Sequence, residues 1–231
     1  MTGAVVTGGV GSGDGAARPE RPAYQAIVLA GGRGSRLGGV DKGALAVAGT
    51  ALLDRVLAAA GGAEHIVVVG DCPVPEGVMH TREEPAYGGP AAAVVAGLQA
   101  LRMPPASAGP TSSGASGPAR ATVARPRLVL VLACDLPCDA EGGELLLDAA
   151  AREHARADID GWCLAEPDGR MQWLFGLYRE AALKQAAHVL GNPTDRSMGR
   201  LVGRLTLRAV PAPAHVTADI DTPEDLARWT R

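Results

Sequence analysis

The chain has 231 residues, 47% of them hydrophobic and 20% charged, with a formal net charge of -3. That length suits one α/β domain with a core of its own. The balance excludes a basic nucleic-acid binder and a wholly disordered chain, and no apolar run reaches the roughly 18 residues that a membrane-spanning helix needs.

Residues 1–23 are Gly-rich and lack the basic and apolar segments of a secretory signal. They read as a disordered tail ahead of a cytoplasmic domain at 24–231. Tyr24 to Ala30 reads as a buried strand, followed by a Gly-rich turn from Gly31 to Gly39. A helix is expected after Thr50, with Thr50 as its N-cap, Leu52, Leu53, Val56 and Leu57 on one face, and Gly61 as its stop. Strands follow at His65 to Val69 and Val78 to Thr81. Pro90 opens a helix to Leu101, where its missing N–H costs little.

Residues 103–127 are rich in Pro, Gly, Ser and Ala without a period, which predicts a flexible insertion. Leu128 to Cys134 is an unbroken apolar run, the pattern of a central strand covered on both faces. A helix is expected from Gly143 to Ala155. Strands are expected at Trp162 to Leu164, Trp173 to Tyr178 and Leu205 to Val210, with a helix at Ala181 to Leu190. Thr222-Pro223-Glu224-Asp225 opens a last helix. Strand and helix alternate throughout. The expected fold is a three-layer Rossmann-like α/β sandwich, a mostly parallel sheet with helices on both faces.

Ligands of such sheets bind beyond the carboxyl ends of the strands. After the first strand, five glycines between Gly31 and Gly39 let backbone N–H groups approach phosphate oxygens, and Arg33, Arg36 and Lys42 bring three cations there. Lys42 is one of only two lysines in the chain. The dinucleotide fingerprint fails because Leu37 stands where its last Gly belongs, and a P-loop fails because Val40 follows Gly39. Asp135, at the tip of the central strand, suits a hard divalent cation whose other ligands are phosphate oxygens and water. The cysteines at 72, 134, 138 and 163 read as reduced thiols, since no partner pair or His completes a metal site beside Cys134 and Cys138.

These residues carry a resemblance. The run Leu29 to Leu45, LAGGRGSRLGGVDKGAL, with Gly49 after it, resembles the signature of the molybdenum cofactor guanylyltransferases within the MobA-like nucleotidyltransferase superfamily. Glu83 to Pro90, Cys134 to Pro137, Met171 to Arg179 and Asp219 to Leu226 resemble later family segments in the same order. The resemblance implies transfer of GMP from GTP to molybdopterin, with release of pyrophosphate and with Mg²⁺ as cofactor. It implies a nucleotide site at Leu29, Ala30, Gly31, Gly32, Arg33, Lys42, Gly70, Glu83 and Asp135, and catalytic roles for Lys42, Arg36 and Asp135. Asp135 would hold the metal, with Asp221 as a second carboxylate. Glu83 falls where the family has an Asp near the nucleotide. Gly70 falls where some members carry an Asn that touches the base or ribose, a contact absent here. Asp219 and Asp221 replace two Asn. Partners would be GTP, molybdopterin and, transiently, proteins that deliver or accept the cofactor, with neither nucleic acid nor membrane. The alternatives are CTP or another phosphorylated acceptor within the class, and outside it an NAD-binding oxidoreductase with Asp71 on the ribose, or a nucleotide sensor without turnover.

Overall fold

The computed structural model describes residues 21–31, 46–47, 49–102, 127–135, 140–153 and 155–218. In chain order these form β1 (Tyr24–Leu29), a short ladder of β2 (Ala46–Val47) with β3 (Thr50–Ala51), α1 (Leu52–Ala59), β4 (Ile66–Val69), β5 (Met79–Thr81) and α2 (Pro90–Ala100). They continue with β6 (Leu128–Ala133), α3 (Ala140–Glu153), β7 (Gly161–Ala165), β8 (Met171–Arg179), α4 (Glu180–Leu190), α5 (Met198–Val202), β9 (Leu207–Pro211) and α6 (Ala214–Thr217). The tail to residue 20, nearly all of the 103–127 segment and the helix expected at Thr222 lie outside the described residues.

Seven strands make one sheet in the order β5-β4-β1-β6-β8-β7-β9. Every pairing is parallel except those of β8 with β6 and β7. All residues of β1 and β6 are buried. Alternate side chains serve opposite faces. Ala26, Val28, Leu128, Leu130 and Leu132 pack with α1 and α3, whereas Ile27, Leu29, Val129 and Val131 pack with α2, α4 and α5. Each fully buried Val, Leu or Ile contributes about 1.5–3 kcal/mol, so these two strands carry a large share of the core. The three layers expected from the alternating pattern are present.

Some local expectations yield to tertiary packing. Thr50 is not a cap. It pairs with Val47 in the β2–β3 ladder, Gly49 turns the chain at φ +82°, and the N-cap is Ala51, whose side chain has no group to cap with. α3 begins at Ala140, three residues before Gly143. Gly142 belongs to its buried side because a Cβ there would stand 2.4 Å from the Phe175 ring. α5 was not expected. Ser197 starts it, its hydroxyl accepting from the Arg200 N–H.

Cys163 and Tyr178 meet inside the sheet. The Tyr178 hydroxyl donates to the Trp173 carbonyl oxygen at 2.6 Å, which leaves the Cys163 S–H to donate to that hydroxyl oxygen, 3.2 Å away. Burial pushes the Cys163 thiol up to about 12. Burial also raises the Tyr178 phenol. Above pH 9 the unfolded thiol ionises while the folded one keeps its proton. The stabilisation is therefore complete below pH 9 and is lost toward pH 12, at a slope of about 1.4 kcal/mol per pH unit. We expect Tm to decline over that alkaline window, and Cys163→Ala to decline less steeply. Parallel Tm–pH curves for the two proteins would contradict this assignment.

Candidate active site

The chain leaves β1 and reaches β4 on one side of it, then crosses by α2 to β6 on the other side. The strand order thus reverses between β1 and β6, and a crevice opens beyond their carboxyl ends. Backbone bonds bring these ends together. Ala30 N–H donates to the Val69 carbonyl at 2.8 Å, and Cys134 N–H to the Leu29 carbonyl at 2.9 Å. Leu29, Ala30 and Gly31 therefore form one rim, with Asp135 opposite.

A pocket of about 350 Å³ fills this crevice. Leu29, Ala30, Gly31, Glu83, Tyr87 and Asp135 are among its walls, and Gly89 and Pro90 bring the amino end of α2 to it. The partial positive charge of a helix amino end favours an anion. Glu83 is only 8% exposed, and its Oε1 lies 4.0 Å from where a Cβ on Gly31 would stand. Its carboxylate makes no hydrogen bond or ion pair among the described residues. A carboxylate that faces a cavity can accept hydrogen bonds from a ligand bound there.

A second pocket of about 720 Å³ adjoins the first. Pro90, Ala133, Asp135 and Leu174 line both. Its far wall holds Arg170, Gln172, Trp173, Ser197 and Gly199. Glu166 ties this wall down, accepting from Gln172 and pairing with Arg170 at 2.5 Å. A further groove of about 530 Å³ lies between α4 and α5. It is bounded by Asp160 and Leu205, near the amino ends of β7 and β9, and so lies on the wrong side of the sheet for the crevice.

Of the residues singled out by sequence, Leu29, Ala30, Gly31, Glu83 and Asp135 come together in one pocket. Gly70 stands behind that wall. A Cβ on it would lie 2.7–2.8 Å from the backbone of Ala30 and Gly31, at φ +156°. Gly32, Arg33, Arg36, Lys42, Asp219 and Asp221 lie outside the described residues. Tyr87, Leu174 and Trp173 were within the segments quoted above but were given no role. Tyr87 and Trp173 are exposed, which for an aromatic side chain only the fold reveals. Among the described residues no group of three or more His, Cys, Asp and Glu side chains could hold a metal, and no helix is long and apolar enough to cross a membrane.

Fold and crevice together define an α/β protein whose two adjoining pockets share one carboxylate. The chain belongs to the MobA-like NTP transferase family, whose model matches residues 26–209. It is accordingly a nucleotidyltransferase. Among the solved structures that share the fold are three relatives. Molybdopterin-guanine dinucleotide biosynthesis protein A from Archaeoglobus fulgidus is 20% identical, with a TM-score of 0.60 over 90% of this chain and 97% of that one. The Mycobacterium tuberculosis protein Rv0371c is 21% identical, with a TM-score of 0.61 over 90% and 97%. The 2-C-methyl-D-erythritol 4-phosphate cytidylyltransferase of Thermus thermophilus is 18% identical, with a TM-score of 0.57 over 88% and 96%. At these identities the likeness is one of fold. No curated protein matches the chain by sequence.

Proposed function

We propose that the chain transfers GMP from GTP to the terminal phosphate of molybdopterin and releases pyrophosphate. The observation that carries this reading is the pair of pockets meeting at Asp135, one suited to a nucleotide and one to its acceptor. A phosphate oxygen of the acceptor attacks the α-phosphorus. The bond from the α-phosphorus to the bridging oxygen breaks, and pyrophosphate leaves with that electron pair. The attacking oxygen is already ionised at neutral pH, so no general base is needed. Catalysis is then positioning and charge neutralisation. Gly31 and the amino end of α2 face the phosphates, and Arg33, Arg36 and Lys42 are the cations the sequence supplies for the leaving group.

Asp135 is one carboxylate at the junction, and Mg²⁺ usually takes one or two carboxylates with phosphate oxygens and water, so the donor set fits a nucleotide-borne Mg²⁺. Asp135, with Asp221 as a second candidate, would hold it. When bound it supplies Lewis-acid charge to the phosphates.

Glu83 supports guanine. A carboxylate accepts from both N1–H and the 2-amino group of guanine, whereas cytosine offers one amino group. Glu83→Gln is expected to lower kcat/KM for GTP about ten- to hundredfold, the loss of a hydrogen bond to a charged group, with little change for CTP. Pyrophosphate release from GTP, CTP, ATP and UTP with molybdopterin supplied tests both statements. Turnover of CTP with GTP inert would overturn the guanylyl reading in favour of the alternative that the cytidylyltransferase neighbour represents.

A further inference from the structure

Among the described residues, three large apolar side chains are exposed: Tyr87, Trp173 and Val189. Two of them line the pockets of the crevice, and Trp173, 41% exposed, lines the second. An indole open to a pocket presents a flat apolar face on which a ligand ring can stack. The way it is held shows that its position is built.

Trp173 sits on a bulge of β8. Cys163 of β7 lies opposite Gly176, but the next residue, Leu164, lies opposite Gln172. Residues 173–175 therefore have no counterpart on β7 at that step. On the other side, the ladder with β6 ends at Leu132 and Phe175, so Trp173 and Leu174 project past it toward the crevice. Bulges beside a site redirect side chains in this way. The bulge is fastened from within, because the Tyr178 hydroxyl bonds the Trp173 carbonyl and Cys163 bonds that hydroxyl. Gly176 makes room for the fastening. A Cβ there would stand 2.8 Å from both Cys163 Sγ and the Tyr178 ring. The indole itself rests on Gly199 of α5, where a Cβ would come 2.3 Å from its Cζ3. One part of the ring system is thus seated on backbone and the rest is open to the pocket that shares Asp135.

We propose that Trp173 is a stacking platform that selects a planar heteroaromatic acceptor, and that Tyr178 is the positioning residue that holds it there. The proposal rests on the reading of the second pocket as the acceptor subsite and names what that subsite recognises. Stacking of a heteroaromatic ring on an aromatic side chain is worth about 1–3 kcal/mol, or roughly five- to a hundredfold in affinity. Ser197, Gln172 and Arg170 border the same pocket and offer the ring's edge hydrogen-bonding groups.

The test titrates the full chain with 6-hydroxymethylpterin, followed by pterin fluorescence, and in parallel with GTP. Trp173→Ala is expected to weaken pterin binding about tenfold or more and to leave GTP binding unchanged, and Trp173→Phe to recover most of the loss. Gly199→Ala, which displaces the ring without removing it, should weaken pterin alone. Tyr178→Phe should raise KM for the acceptor while kcat and GTP affinity hold. Ribose 5-phosphate, which has no aromatic ring to stack, should not respond to any of these changes. Pterin binding by Trp173→Ala equal to that of the parent, or an equal loss of pterin and GTP, overturns the platform. Trp173-dependent pterin binding without GMP transfer to molybdopterin would keep the platform and overturn the proposed reaction. No pterin binding by the unchanged chain overturns the platform alone if GTP is still cleaved with another acceptor.

Discussion

Replacing Asp135 by Ala is expected to cut nucleotide-dependent pyrophosphate release on the order of 10³-fold or more, with a thermal unfolding curve close to that of the parent. The residue stands half-buried just past β6, where the strand's hydrogen bonds to β1 have ended. Its removal therefore leaves the β1–β6 ladder in place. What it takes is the carboxylate at the junction of the two pockets. Asp135→Asn keeps size and hydrogen-bonding capacity and removes only the charge. It should fall nearly as far if the carboxylate acts by charge. Near-parental turnover in both variants would mean that the chemistry lies elsewhere in the crevice.

Gly70→Asn should fail to gain a nucleotide contact, and should cost both stability and GTP binding. Gly70 N–H donates to the Thr81 carbonyl, and its own carbonyl lies 2.7 Å from His80 Nε2. The backbone is thus held on both sides and cannot move aside. At φ +156°, with the Ala30 carbonyl carbon 2.7 Å from the position of a Cβ, any side chain must displace the strand end that forms the pocket rim. Strain and overpacking of this kind cost about 2–4 kcal/mol. Gly70→Ala should show the same loss of Tm, because the clash begins at Cβ. GTP affinity should drop at least tenfold in both, as Ala30 and Gly31 shift. Unchanged Tm with tighter GTP binding in Gly70→Asn would instead make position 70 a nucleotide contact.

The contrast between Gly70 and Trp173 shows where reading by residue stops. Gly70 aligned with a contact position, yet its work is to let two strand ends approach. Trp173 opened an expected strand and was given no role. Its exposure follows from a bulge that depends on Gly176, Cys163 and Tyr178, which no periodicity announces. The direction of β8 is a similar case. Its composition says strand, but only the short connection from Ala165 to Met171 and the partners on either side make it antiparallel.

By itself the sequence determined the layers, and it placed the proposed site at the strand ends. The unbroken apolar runs of β1 and β6 demanded cover on both faces, because each alternate side chain must leave water. Gly31 and the Asp after Cys134 then had to lie at strand ends, where a ligand can approach the backbone. Only the tertiary structure decided that there are two pockets and that Asp135 joins them. Those walls come from residues 83, 135, 173 and 199, brought together by packing and not by any local preference for structure.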